Sequence, residues 1–161
     1  MNKLVKELIP YLIIIAVVIL IRCFIITPVR VDGPSMNNTL YDGDIMMLVL
    51  FDKNYQRNDV VVFKKKDEKL IKRVIALPGE KVKCVSGIIY VNNEEYEDSY
   101  ATGKTEDFKE YILGEDEYFV MGDNRSNSLD SRSFGPVKKE NVLGKTNSVI
   151  FPFSHFKLGK K

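Results

Sequence analysis

Two residues in this 161-residue chain have the types needed for hydrolytic chemistry, Ser35 and Lys72. Ser35 stands in Val31-Asp32-Gly33-Pro34-Ser35-Met36, between turn formers and apolar neighbours. A serine hydroxyl attacks a carbonyl only when a base removes its proton, so the base must be found elsewhere. The one histidine, His155, lies close to the C-terminus, where chains often fray, which disfavours a Ser-His-Asp arrangement. Lys72 is the better candidate, because it sits in the apolar strand-like run Lys69–Ala76 with Leu70 and Val74 on its face. An unperturbed lysine is neutral about once in 2,500 molecules at pH 7, a deficit of about 4.6 kcal/mol. Burial in an apolar site lowers a lysine pKa by up to about 3–5 units, which is enough to overcome it. Taken singly, a strand lysine is ordinarily a solvated surface residue and a Gly-Pro-Ser serine an ordinary turn residue. The pair gains meaning only from its surroundings.

The elements that must position these residues divide the chain in three. Leu8 to Ile26 holds one charge, Arg22, in 19 positions. At 1.5 Å per residue the run reaches about 28 Å, close to the hydrocarbon thickness of a bilayer. Residues 8–27 are therefore expected to be a transmembrane anchor, with Thr27-Pro28 ending the helix and Arg22 reaching for the headgroups. A cleavable signal is the rival, but its apolar core would be shorter and a small-x-small site would follow. Lys3 and Lys6 favour a cytoplasmic segment 1–7, which leaves 28–161 as an extracytoplasmic domain. Cys23 in the span and Cys84 in the outer domain cannot meet, so no disulfide is expected. A net charge of +2 argues against a nucleic-acid partner, and Lys64-Lys65-Lys66 followed by Asp67-Glu68 reads as a solvated turn.

Beyond the anchor, short apolar runs alternate with turn signals. Strands are expected at Ile45–Phe51, Val60–Phe63, Lys69–Ala76, Lys81–Val85, Ile88–Val91, Tyr118–Met121 and Ser148–Phe151, with Ser86-Gly87 as a two-residue hairpin turn. The fold class is mainly β, a domain of short antiparallel or mixed strands. Asn92 to Glu110, acidic and containing Gly103, reads as an exposed loop.

Three segments in order, Gly-Pro-Ser-Met after the apolar run, Lys-Arg-Val-Ile-Ala-Leu-Pro-Gly-Glu at mid-chain and Met121–Arg132 (MGDNRSNSLDSR), resemble the successive boxes of the type I signal peptidases. These are membrane-anchored Ser/Lys endopeptidases with a catalytic β domain, and the likeness extends to Gly43-Asp44 after the serine. The resemblance implies that Ser35 is the nucleophile and Lys72 the general base, acting through an acyl-enzyme. It further implies that Ser128 orients the lysine amine, that Asp130 and Arg132 form a salt bridge bracing the site, and that Asp123 pairs with Arg73. The substrates would be secretory precursors cut after a small-x-small motif, with Val31, Met36 and Ile71 as candidates for the shallow pockets that select small side chains. An extended signal peptide would add its backbone to an edge near residues 29–35 and 69–72.

The resemblance implies no metal and no cofactor, contact with membrane lipid, a monomer, and a single-pass place in the cell membrane. Two positions depart from the family pattern. Gly33 stands where many Gram-negative members carry a serine that helps bind the oxyanion, and Asn38 where Pro usually precedes Thr-Leu. With only about 40 residues between the lysine box and Gly122-Asp123-Asn124, no large inserted second domain is expected, as in a Gram-positive bacterial enzyme. The alternatives are a self-cleaving Ser/Lys repressor-type peptidase, disfavoured by the apolar span, and a membrane-tethered β domain that binds without catalysis.

Overall fold

The computed structural model describes residues 3–24, 26–146 and 148–158. Helix α1 runs Lys3–Phe24 with Pro10 inside it, and its described side chains, from Glu7 to Leu20, expose Leu8, Tyr11, Ile13, Ile15 and Leu20 among others. Among the described residues no helix is long and apolar enough to cross a membrane. The side chains of Arg22 and Cys23, and Ile25 altogether, lie outside the described residues. One boundary differs from expectation. The helix ends at Phe24, and Thr27-Pro28 belongs to a strand, β1 (Ile26–Arg30), because the backbone there finds a partner strand: Thr27 lies opposite Leu48.

The remainder is mainly β, in two antiparallel sheets. The larger contains β1, β2 (Ile45–Val49), β3 (Val60–Lys65), β4 (Glu68–Ala76), β9 (Glu117–Met121), β10 (Val137–Lys138), β11 (Val142–Thr146) and β12 (Val149–Phe151). Its order is β1-β2-β11-β3-β4-β9-β10, with β12 also pairing β2. The smaller has the order β7-β6-β5-β8, from β5 (Lys81–Val85), β6 (Ile88–Val91), β7 (Glu94–Glu95) and β8 (Phe108–Ile112). Every strand expected from the apolar runs is present, within one or two residues at the ends. Ser86 (φ 55°) and Gly87 (φ 82°) form the tight turn joining β5 to β6. The segment read as a loop, Asn92–Glu110, instead contributes β7 and the start of β8; its polar residues are exposed on short edge strands, so no apolar run announces them.

β4 alternates little because it is covered on both faces from Ile71 to Ala76. One face packs into a cluster with Val31, Met36, Leu40, Met46 and Val62. The residues that follow, Ile75 and Ala76, join the smaller sheet, where Phe119 meets Phe108 and Tyr111 with centroids 5.1 and 5.2 Å away. Two edges are left for function. β1 has only β2 beside it, and β9 pairs with β4 only from Arg73 to Ala76, so the stretch Glu68–Lys72 of β4 is open on that side.

Candidate active site

Ser35 sits in the turn that leaves β1 and returns to β2. That turn is closed by Val31 N–H on Asp44 O (2.8 Å) and Gly43 N–H on Val31 O (3.0 Å), while Asp42 Oδ1 accepts from Gly33 N–H (2.9 Å). Buried Asp44 also accepts from Tyr41 N–H (2.9 Å), and His155 Nδ1 lies 2.9 Å from its other oxygen. The single histidine thus meets Asp44, at the foot of the serine loop. A buried amine reaches the serine from β4: Lys72 Nζ donates to Ser35 Oγ at 2.8 Å and to the carbonyl of Ile71 at 2.9 Å. When the amine is neutral, the first contact runs the other way and the hydroxyl donates.

Lys72 is 3% exposed. Burial pushes its pKa down from 10.5 to about 8, against the upward pull of Asp130 and Asp123. The sign for stability follows. Below pH 8 the amine is charged in both folded and unfolded chains, and the folded state carries the cost of burying it, about 3 kcal/mol at about 1.36 per pKa unit. That cost is regained as pH rises from about 8 to 10.5. The lysine is therefore held near neutrality at the expense of the fold.

The two carboxylates that oppose this effect are both engaged by arginine. Arg73, next to the lysine on β4, makes a two-pronged pair with Asp123: Nε to Oδ1 at 2.8 Å and Nη2 to Oδ2 at 2.6 Å. It also donates to Asn58 O and Thr39 Oγ1, and its guanidinium lies 3.7 Å from the Tyr100 ring centre. Arg132 grips Asp130 in the same way at 2.8 and 2.9 Å, at the start of the short helix α2 (Ser131–Phe134), where Asp130 is the N-cap. Burial alone would raise the Asp130 pKa; the hydrogen bonds from Arg132 and from Gly122 N–H outweigh it and hold the group below the usual carboxylate value. The structure thus brings both expected ion pairs together.

Ser128 makes no hydrogen bond to the lysine amine. The lysine amine bonds Ser35 and Ile71, whereas Ser128 Oγ is buried and makes no hydrogen bond of regular geometry among the described residues, although it lies close enough to Asp130 to favour the ionised carboxylate. It packs against Gly122. A Cβ added to Gly122 would lie 2.2 Å from Ser128 Oγ and 2.5 Å from the Ser35 carbonyl oxygen, so this glycine is the close contact between the third box and the serine turn. Asn124 fastens the same turn, its N–H on Ser35 O (3.0 Å) and its amide on Pro34 O (3.2 Å). Sequence reasoning assigned no role to Gly122 or Asn124; the only signal was their place in the Gly-Asp-Asn box.

Val31, Met36 and Ile71 line a cleft of about 170 Å³ whose other walls include Val29, Leu70 and the two dyad residues. It lies between the free edges of β1 and β4. All three residues also belong to the core cluster, so the cleft is a notch in the core with rigid walls. At the site of the missing helper serine, Gly33 has φ +83° and open space around it, and its N–H is already used by Asp42. A side chain there would be strained, so the turn is built for glycine. The Ser35 N–H has no acceptor among the described residues. No group of three or more metal-ligating side chains occurs among them either.

The family model described as "Signal peptidase, peptidase S26" matches residues 3–151. The chain belongs to the signal peptidase family. It is 36% identical to signal peptidase I of Bacillus amyloliquefaciens, over 92% of this chain and 89% of that protein. Signal peptidase IB of Staphylococcus aureus is 32% identical, with 94% of each chain covered. A crystal structure of a signal peptidase I from Enterococcus faecalis V583 superposes with a TM-score of 0.52 at 33% identity, covering 57% of this chain and 96% of the other. The protein is accordingly a hydrolase of the serine endopeptidase type that removes signal peptides.

Replacing Gly122 with alanine is expected to push the serine turn or Ser128 aside and to lower cleavage about 100-fold, the effect of misplacing a reacting group by about 1 Å. Steady-state rates on a precursor peptide, with a circular dichroism check of folding, measure it.

Proposed function

We propose that Ser35 and Lys72 perform the family's reaction as nucleophile and general base. The observation that carries this reading is the buried amine 2.8 Å from the serine oxygen, with its pKa lowered to about 8. A signal peptide lies extended in the cleft between β1 and β4 and pairs with their free edges, its small side chains against Val31, Met36 and Ile71. Neutral Lys72 takes the hydroxyl proton as Ser35 Oγ attacks the scissile carbonyl. The oxyanion is met by the Ser35 N–H, and one such donor can be worth about 3 kcal/mol. The protonated lysine then gives its proton to the leaving amine. In the second half it takes a proton from the water that attacks the Ser35 ester and passes it to Ser35 Oγ as that bond breaks, which releases the signal peptide and restores the neutral amine. Asp130–Arg132, Asp123–Arg73, Gly122 and Asn124 keep the two reacting side chains in place. Ser128, whose buried Oγ lies against Gly122, takes the part of orienting the amine that the family resemblance gives it.

We also propose that α1 anchors the enzyme in the membrane with residues 1–7 on the cytoplasmic side and 28–161 outside. The support is a backbone helix of 22 residues, about 33 Å long, whose described side chains after Glu7 carry no charge and are almost all apolar. Such an anchor holds the cleft at the bilayer surface, where signal helices end, and raises the effective concentration of scissile bonds. Resistance of the full chain to alkaline extraction from membranes is the expected behaviour; release into the soluble fraction would contradict it.

Cleavage should rise with pH through a single ionisation near 8 and then level off, because only the neutral amine can act. Ser35→Ala and Lys72→Met should both abolish cleavage of a precursor by detergent-solubilised enzyme. Lys72→Met should also melt at a higher temperature at pH 7, since the buried charge is gone. Undiminished cleavage by either variant would sink the assignment.

A further inference from the structure

A peptide bond cut in the middle of a polypeptide needs space on both sides of the nucleophile. The apolar cleft between β1 and β4 serves one side and stops at Ser35 and Lys72. Adjoining Gly122 through Ser128 is a larger groove of about 420 Å³, whose lining includes Lys104, Glu106, Arg125, Ser126, Ser128 and Ser133. Ser128 is shared between groove and active site: its Oγ and the Ser35 carbonyl both crowd the point where a Gly122 Cβ would be. The groove therefore begins next to the scissile position.

Its chemistry differs from that of the cleft. Arg125 is 2% exposed and lines the groove from below. Its Nε donates to Gly122 O (2.8 Å), and its Nη1 donates to Thr105 Oγ1 (3.0 Å) and pairs with Asp98 (2.5 Å). Its Nη2 and the Oδ1 of the same Asp98 carboxylate are both buried without a partner among the described residues. The largely buried Arg125–Asp98 pair thus forms a fixed, charged floor beneath the groove. Of the nearby acids, Asp107 is already committed to the N–H groups of Ser86 and Gly87. Lys104 and Glu106 stand exposed on the same wall, suited to a polar chain of either charge.

We infer that this groove binds the mature side of the precursor, the polar residues that follow the scissile bond. The chemical change along the substrate, from apolar signal to polar mature chain, is then matched by the change in lining across Gly122. This inference rests on Ser35 and Lys72 being the dyad.

The test uses two peptides with the same signal half, one ending one residue after the scissile bond and one extended by about six. The wild-type enzyme is expected to cleave the longer peptide with kcat/KM higher by about tenfold, the size of effect one hydrogen bond to a charged group supplies. Ser126→Trp and Ser133→Trp, at exposed positions on the groove wall, are expected to erase that gain while leaving the short peptide's kcat/KM unchanged, which also serves as the control for folding. An equal gain in wild type and variants, or no gain in wild type, overturns the groove assignment. If the wild type cleaves neither peptide, the dyad assignment fails first.

Discussion

The structure depends on keeping one amine poorly solvated beside one hydroxyl. A lysine in water is a strong proton holder, and two carboxylates near Lys72 would make it stronger, since both raise its pKa. Each is engaged by its own arginine: Asp123 by Arg73, and Asp130 by Arg132. With those charges compensated, burial dominates and the pKa falls to about 8. The ion pairs thus do two things at once. They make buried carboxylates tolerable, and they stop those carboxylates from pinning the proton on the base.

The sheet explains why the dyad can form between residues so distant in sequence. β4 carries Lys72 at the end of its open stretch, just before β9 begins to pair with it, and the serine turn that follows β1 comes back to meet it. Asn124 and Gly122, arriving from the end of β9, lock the turn from the other side. Three separate segments therefore meet at one point, and each is held by backbone hydrogen bonds or close packing, so Ser35 is held in place by the fold itself. The same arrangement leaves β1 and the first half of β4 with free edges facing a common cleft, ready for an extended peptide.

Much of this was legible in the sequence. Apolar runs announced the core strands, and the isolation of Lys72 among Leu70, Ile71 and Val74 pointed to its burial. The pairing of Asp123 with Arg73 and of Asp130 with Arg132 followed from the resemblance of the boxes and not from spacing. What sequence did not show has physical reasons. The strands β7 and β8 are the largely exposed edges of the smaller sheet, where polar residues suffice and no apolar run is required. The start of β1 was hidden because Ile26 and Thr27 continue the apolar run of α1, and composition alone does not mark where a helix gives way to a strand. Gly122 matters for what it lacks, and a missing side chain leaves no pattern to read. The position of Ser128, unbonded between dyad and groove, is a matter of tertiary packing that box order cannot reveal.

The central claim is that Lys72 is a base because it is buried, and its own titration tests that most directly. With lysine side chains labelled at the ε-carbon, the Lys72 resonance is identified by its loss in Lys72→Met and followed by nuclear magnetic resonance from pH 6 to 11. The account predicts a midpoint near 8 in the folded wild-type protein. A midpoint near 10.5, that of a solvated lysine, would contradict it.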